Sequence, residues 1–339
     1  MSTPAFEPPR LRIARELVGW SQARLAAEVG LTPAAVSQFE SGATRPGPDT
    51  LAKLGAALAV PTDFFVRPLI ETHDGFFRSL RRTAVTDRRR ARAVAHIAHD
   101  LAASAGGNGL PLASVPQLRV ELDASVGEIE QLAVRVRRDW GIASGAVPNM
   151  VEILESHGVV IIRLPLDSTD VDAFSLPFPD HPVVVLGTDK NDRARSRFDA
   201  AHELGHLVLH GDQVWGLSGI EKQAHVFAAA LLMPADEIYD QLPTSVDWPA
   251  LFDLKRRWQV SLAALLMRAR TLGRMSHATY LTAIKAASAR GWRRTEPMPL
   301  GPPERPKRLL KLIQTTSTHH IRSQLPDHIV TALAKAVDG

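Results

Sequence analysis

The chain has 339 residues, an apolar fraction of 45% and a formal net charge of +4, which are typical of a globular protein with a hydrophobic core. It contains no cysteine, so disulfide frameworks and thiolate metal sites are excluded, and any metal must be held by histidine and carboxylate side chains. No apolar run has the length of a membrane span, and no signal-peptide pattern opens the sequence. We therefore expect a cytoplasmic protein without a membrane partner.

The N-terminal region has the pattern of short helices separated by tight turns. Ser21 and Thr32 each precede an apolar-periodic segment and are predicted N-caps, while Gly30 and Gly42 are predicted to end the two helices that follow. The Ser-Gln-x-x-Leu-Ala pattern, continued to Glu-x-Gly-x-x-x-Pro, resembles the lambda-repressor-like (XRE) helix-turn-helix family over residues 8–66. This resemblance implies binding to a double-stranded DNA operator, and half-site recognition leads us to expect a homodimer.

In that family the second helix of the motif enters the major groove, with its N-terminal residues at the base edges. The resemblance therefore implies that four residues of this helix face DNA and that two others contact phosphates or positions beside them. The first four are Thr32, Ala34, Ser37 and Gln38, and the other two are Gln22 and Arg45. Gln38 is the best candidate for base reading, because a glutamine amide bonds adenine through two hydrogen bonds. Val36 and Phe39 should face the core. The alternative is a helical bundle that binds protein.

A cluster of arginines follows this region: Arg78, Arg81, Arg82, Arg88, Arg89, Arg90 and Arg92. Two interpretations stay open. The cluster could be a phosphate-binding extension of the DNA domain, or it could be a solvated helical face whose aliphatic stems cover apolar surface. A helix is predicted from Ala91 to Leu101, and the Gly-rich stretch that starts at Gly106 is predicted to be a linker.

The strongest motif is the run His202-Glu-Leu-Gly-His206 within a predicted helix. Residues four apart lie on one face of a helix, so two imidazoles at this spacing can bind one zinc ion. Glu203 can then act as general base on the attacking water. A catalytic zinc site uses three protein ligands, and the next predicted helix offers Glu221 and His225, again four residues apart.

The His-Glu-x-x-His helix is followed by Glu-x-x-Ala-(Asn/His)-x-Phe-Ala and by Leu-Met-Pro, and this order resembles the ImmA/IrrE family of zincin-like metallopeptidases. The match is strongest over residues 197–234. The resemblance implies that Zn²⁺ is held by His202, His206 and Glu221 and that Glu203 is the catalytic base. The reaction that the resemblance implies is hydrolysis of a peptide bond.

For three nearby residues, the sequence leaves more than one role open. Many members of the family carry a second acid where this chain has Gln223, which leaves Glu221 as the carboxylate ligand. His225 is the fallback ligand, and otherwise orients one of the two ligand histidines. His210 continues the face of His206 and could be a ligand or a hydrogen-bond donor to one, but it lies near the helix end before Gly211, so we favour a surface or capping residue.

The segments before the motif helix predict a small antiparallel sheet. Strands are predicted at residues 158–165, 172–178 and 182–187, and the prolines of the last two suggest edge strands. The predicted fold is mainly α with an α+β part. It has an all-α helix-turn-helix domain (1–70), an Arg-rich helical segment and linker (71–124), a zincin-like α+β domain (125–275) and a helical, basic C-terminal extension (276–339).

Together, the two resemblances predict a DNA-binding transcriptional regulator that carries a zinc-dependent endopeptidase. Its substrate would be a repressor-type protein, either the chain itself or a partner, in a stress or mobile-element response. One alternative is a regulator whose zincin-like domain senses a ligand without proteolysis. Another is a toxin–antitoxin-like or protein-partner module.

Overall fold

The computed structural model describes residues 5–70, 72, 85–104, 110–166, 173–189, 191–211 and 218–315. The chain divides into two compact units, each assembled from separate stretches of sequence. The first unit contains Met1–Ala113, Glu155–Asp189 and Arg305–Gly339, and the second contains Ser114–Leu154 and Lys190–Glu304. The domain boundaries proposed from the sequence, after residues 70, 124 and 275, stay predictions.

The first unit begins with four short helices and continues with a longer one. They are α1 (Pro8–Leu17), α2 (Gln22–Val29), α3 (Pro33–Ser41), α4 (Pro48–Leu58) and α5 (Val85–Ser104). The predicted caps are confirmed. Ser21 Oγ accepts a hydrogen bond from the Arg24 amide at 3.1 Å, and Thr32 Oγ1 accepts one from the Ala35 amide at 3.2 Å. Gly30 and Gly42 end α2 and α3 with φ angles of 72° and 75°, which glycine adopts without steric cost.

Buried ion pairs fix α1 against its neighbours in the first unit. Arg10 bonds the carboxylate of Asp100 on α5, and Arg15 Nε lies 2.6 Å from Glu40 Oε1 on α3. Helix α5 begins six residues earlier than the predicted start at Ala91. The last described helix, α14 (Arg308–Thr315), places its apolar residues in the same hydrophobic core, so this part of the C-terminal extension belongs to the first unit.

The first unit also contains a three-stranded sheet in the order β1-β3-β2. The strands are β1 (Val160–Leu164), β2 (Ala173–Leu176) and β3 (Val183–Gly187). The prediction of a purely antiparallel sheet is wrong, because β1 pairs with β3 in parallel while β2 pairs with β3 in antiparallel. β3 is the central strand and not an edge. Pro182 is tolerated because it precedes the strand, and its carbonyl accepts a hydrogen bond from the Val160 amide at 2.8 Å.

The second unit is helical. Its helices are α6 (Val126–Asp139), α8 (Arg193–Leu209), α9 (Ser218–Leu232), α10 (Ala235–Ile238), α11 (Trp248–Trp258), α12 (Leu262–Thr271) and α13 (His277–Ala289). The chain passes from this unit to the first within α7 (Met150–Ser156). The predicted capping box of α6 is present, since Ser125 Oγ accepts from the Glu128 amide while the Glu128 carboxylate accepts from the Ser125 amide at 2.7 Å. Among the helices described, none is long and apolar enough to cross a membrane.

Candidate functional site

Helices α8 and α9 approach each other closely at Gly205, inside the His-Glu-Leu-Gly-His run. A Cβ atom at this position would lie 3.1 Å from the carbonyl oxygen of Ala224 and 3.1 Å from Cδ1 of Phe227. The absence of a side chain therefore lets the backbone of α9 lie directly against α8. This close packing brings the first turn of α9, with Glu221, to the face of α8 that carries the two histidines.

The side chains of His202, His206 and Glu221 converge. The Nε2 atoms of the two histidines are 3.1 Å apart, and the Glu221 carboxylate oxygens lie 3.5 Å from His202 Nε2 and 3.8 Å from His206 Nε2. With zinc–ligand bonds of about 2.0–2.1 Å, two ligand atoms of a tetrahedral site are separated by roughly 3.3 Å. The three groups thus have the spacing of a zinc ligand set, and their nitrogen and carboxylate atoms are donors that zinc accepts.

The centre is buried on one side and accessible on the other. The His206 side chain is 1% exposed, whereas those of His202 and Glu221 are 19% and 31% exposed. Catalytic zinc sites keep one coordination position open, in contrast with closed structural sites. A partly exposed ligand set is compatible with access of water and of a substrate.

The two histidines of this cluster, His202 and His206, differ in their electrostatics. Burial disfavours the charged form of His202, but the hydrogen bond to Glu221 and the charges of Glu203 and Glu221 outweigh this effect and raise its pKa. Burial, together with the neighbouring His202 and His210, lowers the pKa of His206 well below its usual value. His206 is therefore neutral, as a metal ligand must be. At His202, the negative charges of Glu203 and Glu221 would compensate a positive charge, whether that of the protonated ring or that of a metal ion.

Glu203 and His225 occupy different environments beside these ligands. Glu203 is 4% exposed and its charge acts on the adjacent His202. His225 is exposed, and its ring centre lies 4.7 Å from that of Phe198 and 6.3 Å from that of His202. The set of ligand atoms lying within 4.8 Å of one another contains His202, His206 and Glu221 but not His225.

On the helix-turn-helix, the four residues expected to face DNA from α3 are all exposed: Thr32, Ala34, Ser37 and Gln38. Val36 and Phe39 are buried on the opposite face, as predicted, with 0% and 9% exposure. Arg45 is exposed. Gln22 is half-buried, and its Nε2 donates a hydrogen bond of 2.8 Å to Glu40. The amide of Gln22 is thereby held in a fixed orientation at the start of α2.

Two family models match parts of this chain. Residues 11–65 match the model of the helix-turn-helix family HTH_3, and residues 154–270 match Peptidase_M78, described as an IrrE N-terminal-like domain. The chain joins a helix-turn-helix domain to an IrrE-like domain. No significant match was found among curated proteins. The helix-turn-helix match supports DNA binding, and the peptidase-family match covers the helices that carry His202, His206 and Glu221.

In the IrrE-like domain, His210 does not lie at the surface, so the surface alternative was wrong. The capping alternative is confirmed, because His210 is the C-cap residue of α8. It stands at the C-terminal end of α8, but its side chain is 0% exposed and is enclosed by polar partners. Its Nδ1 lies 3.1 Å from His206 Nδ1, and its Nε2 lies 3.0 Å from the amide oxygen of Gln223. Gln223 Nε2 in turn donates to the carbonyl of Glu121 at 2.8 Å.

This buried chain of hydrogen bonds determines which atom of each group carries a proton. A backbone carbonyl only accepts, so the Glu121 carbonyl must face the Gln223 nitrogen, and the Gln223 oxygen then accepts from His210 Nε2. Burial lowers the pKa of His210 to about 4, so the ring is neutral and its Nδ1 accepts from His206 Nδ1. The His206 Nε2 lone pair is thereby directed toward the ligand set.

The sequence contained part of this signal. His210 follows His206 by four residues, which places both on one face of α8, but the glycine after it favoured a helix-end interpretation. The partner Gln223 stands out in the sequence only as a departure from the family pattern. Of the arginine cluster, Arg89 and Arg90 are exposed while Arg88 and Arg92 are half-buried. Arg78, Arg81 and Arg82 lie outside the described residues, so both interpretations of the cluster stay open.

Proposed function

We propose that the chain is a DNA-binding transcriptional regulator whose IrrE-like domain is a zinc-dependent endopeptidase. Its substrate is a repressor-type protein, either the chain itself or a partner, and cleavage changes transcription in a stress or mobile-element response. The observation that carries the proposal is the convergence of His202, His206 and Glu221, whose ligand atoms lie within 4.8 Å of one another. No cysteine competes for the metal.

The proposed reaction is hydrolysis of a peptide bond. When bound, zinc lowers the pKa of a coordinated water toward about 7 and polarises the scissile carbonyl. His202, His206 and Glu221 would hold the ion, and one side of the centre is accessible. Glu203 removes the proton of the attacking water and delivers it to the nitrogen of the leaving amine.

The regulatory part of the proposal follows from the coexistence of the two domains in one chain. A peptidase fused to an operator-binding domain is concentrated at the regulated site, so a narrow protein substrate fits better than general digestion. The exposed face of α3, with Gln38 at its centre, supplies sequence reading, and a homodimer would place two such helices on two half-sites about one helical turn apart.

Metal content tests the ligand assignment. Purified wild type should contain one zinc per chain, and the His202→Ala and Glu221→Ala variants should lose most of it. His225→Ala is the matched control, because this histidine lies on the same helix as Glu221 but outside the converging set, and it should retain the metal. Unchanged zinc content in His202→Ala or Glu221→Ala would refute that ligand.

The Glu203→Gln variant tests proteolysis separately from metal binding. It should keep its zinc but lose cleavage, and it should stay on the operator under conditions in which wild type is released. If wild type and the variant leave the operator equally, cleavage is not the switch. Operator affinity that depends on a small ligand, with no hydrolysis by the zinc-loaded protein, would select the sensor alternative instead.

A further inference from the structure

The first unit contains a cavity between α1 and α5 that is separate from the residues assigned above. Its volume is about 140 Å³, and it is lined from α1 by Arg12, Ile13 and Glu16 and from α5 by Arg92, Ala93 and His96. One water molecule needs roughly 10–15 Å³ of such space. The cavity is thus large enough for a small organic molecule.

Polar atoms in this cavity lack partners. Among the described residues, Arg12 Nε, His96 Nδ1 and Thr72 Oγ1 are buried without a hydrogen bond. His96 is only 3% exposed, so its unpartnered nitrogen has no access to bulk solvent. Buried donors without partners are rare in folded proteins, because each one forfeits its hydration. Three such atoms on one cavity indicate an occupant that bonds them.

The charges of the cavity favour an anion with a single charge. The guanidinium groups of Arg12 and Arg92 both line it, and guanidinium binds carboxylate through directed hydrogen bonds. Glu16 lines it as well, with its Oε1 3.8 Å from Arg15 and 3.8 Å from Arg89. Burial raises the pKa of Glu16, while the charges of Arg15, Arg12, Arg89 and Arg92 act in the opposite direction. A dianion would be disfavoured beside it.

The remaining lining is apolar. Ile13 and Ala93 are 3% and 1% exposed, and Leu69 completes this part of the wall. We propose that this cavity is a binding site for a small organic monocarboxylate, whose carboxylate accepts hydrogen bonds from Arg12, Thr72 and His96 and whose short apolar tail packs against Ile13, Leu69 and Ala93. The site gives the helix-turn-helix unit an effector pocket of its own, independent of the zinc centre.

Calorimetric titration of the full chain with sodium butyrate tests the site. Butyramide serves as the neutral analogue and inorganic phosphate as the anion without a tail. Wild type should bind butyrate, with a dissociation constant on the order of 1 mM for so small a ligand, and should bind neither control measurably. Arg12→Gln should weaken binding by about tenfold or more. Arg90→Gln, an exposed arginine of α5 outside the cavity lining, should bind as wild type does.

Unlike Arg12→Gln, a second variant tests the cavity without removing a charge. Ala93→Leu fills the cavity with a helix-compatible side chain and leaves every polar group in place, so it should abolish butyrate binding while the protein stays folded. The proposal is overturned if wild type does not bind butyrate, if Arg12→Gln and Ala93→Leu bind it with unchanged affinity, or if phosphate or butyramide binds equally well.

Discussion

His210 Nε2 lies 3.0 Å from the side-chain oxygen of Gln223, and both side chains are buried. This pair links the backbone of Glu121 to the imidazole of His206 through successive hydrogen bonds. The pair orients the ring of His206, a proposed zinc ligand, as residues outside a coordination sphere commonly do. Gln223 therefore has a role in the centre even though it has no charge to offer a metal.

Replacing Gln223 with leucine should weaken zinc binding without removing a ligand. His210 Nε2 would lose its acceptor, and the tautomer of His206 would no longer be fixed. We expect zinc affinity to fall about 10–100-fold, measured by competition with a chromophoric chelator. Lys222→Ala, an exposed neighbour on α9, is the control and should bind as tightly as wild type. Equal affinity of Gln223→Leu and wild type would contradict the role of the pair.

Gly205→Ala should destabilise the packing of α8 on α9. The added Cβ would press on the carbonyl oxygen and Cα of Ala224 at 3.1 and 3.2 Å, and backbone atoms cannot move aside easily. A loss of about 1–3 kcal/mol in the free energy of unfolding is expected. Gly127→Ala on α6 is the matched control, because nothing lies within 4 Å of its Cβ position. That change should stabilise the protein by about 0.5–1 kcal/mol, and denaturant titration compares the two.

The buried pair of Arg197 and Glu304 should contribute strongly to the stability of the second unit. Arg197 is 1% exposed, and Glu304 also accepts hydrogen bonds from the amides of Met150 and Val151 at 2.8 and 3.2 Å. Glu304→Gln leaves a buried guanidinium without its counter-charge and should cost about 3 kcal/mol. Removing the charge of Asp253, whose ion pair with Arg256 is exposed, should change stability by less than about 1 kcal/mol. If Glu304→Gln lowered the free energy of unfolding by less than about 1 kcal/mol, as expected for an exposed pair, the result would count against a strong contribution from the buried pair.

Acid should destabilise the protein through His96. Burial, with the charges of Arg92 and other neighbours, lowers the pKa of this histidine to about 3, compared with 6.5 in the unfolded chain. Between these values the unfolded state binds the proton and the folded state does not, so stability present above pH 6.5 is lost as pH falls toward 3. One such group gives a slope of about 1.4 kcal/mol per pH unit.

The slope is measured by urea unfolding at several pH values. His96→Leu should reduce it by about one proton, that is, by about 1.4 kcal/mol per pH unit. Replacement of the exposed His277 by glutamine should leave the full slope. If His96→Leu and wild type have parallel profiles, His96 is not the group that titrates.

The proposed DNA contacts should separate into specific and nonspecific ones. On an operator selected from random DNA, Gln38→Ala should lose about 1–3 kcal/mol of discrimination at one base pair, because a base contact is removed. Arg45→Ala should instead weaken binding to all sequences, and the slope of log affinity against log salt concentration should fall by about 1. Fluorescence anisotropy on matched and single-mismatch operators distinguishes these results. Identical specificity profiles for Gln38→Ala and wild type would show that Gln38 does not read a base.

The sequence by itself determined the local features of this protein. Caps at Ser21, Thr32 and Ser125 were predicted and are present, because a cap depends on residues within three or four positions of one another. The helix-turn-helix and the peptidase-family domain were both predicted from short motifs and are supported by the family matches. The i, i+4 spacing of His202 and His206 was sufficient to place both on one face of a helix.

Only the tertiary structure decided the features that join distant segments. β1 pairs in parallel with β3, although β2 lies between them in the sequence. Strand order along the chain therefore led to the wrong prediction of a purely antiparallel sheet. His210 lies at a helix end, where local signals predict exposure, but its environment is set by Gln223, 13 residues later. Arg12 on α1 and His96 on α5 line the same cavity, although they are far apart in the sequence. For these features, burial and hydrogen-bond partners result from packing between elements that are distant in the sequence, and no local pattern in the chain records that packing.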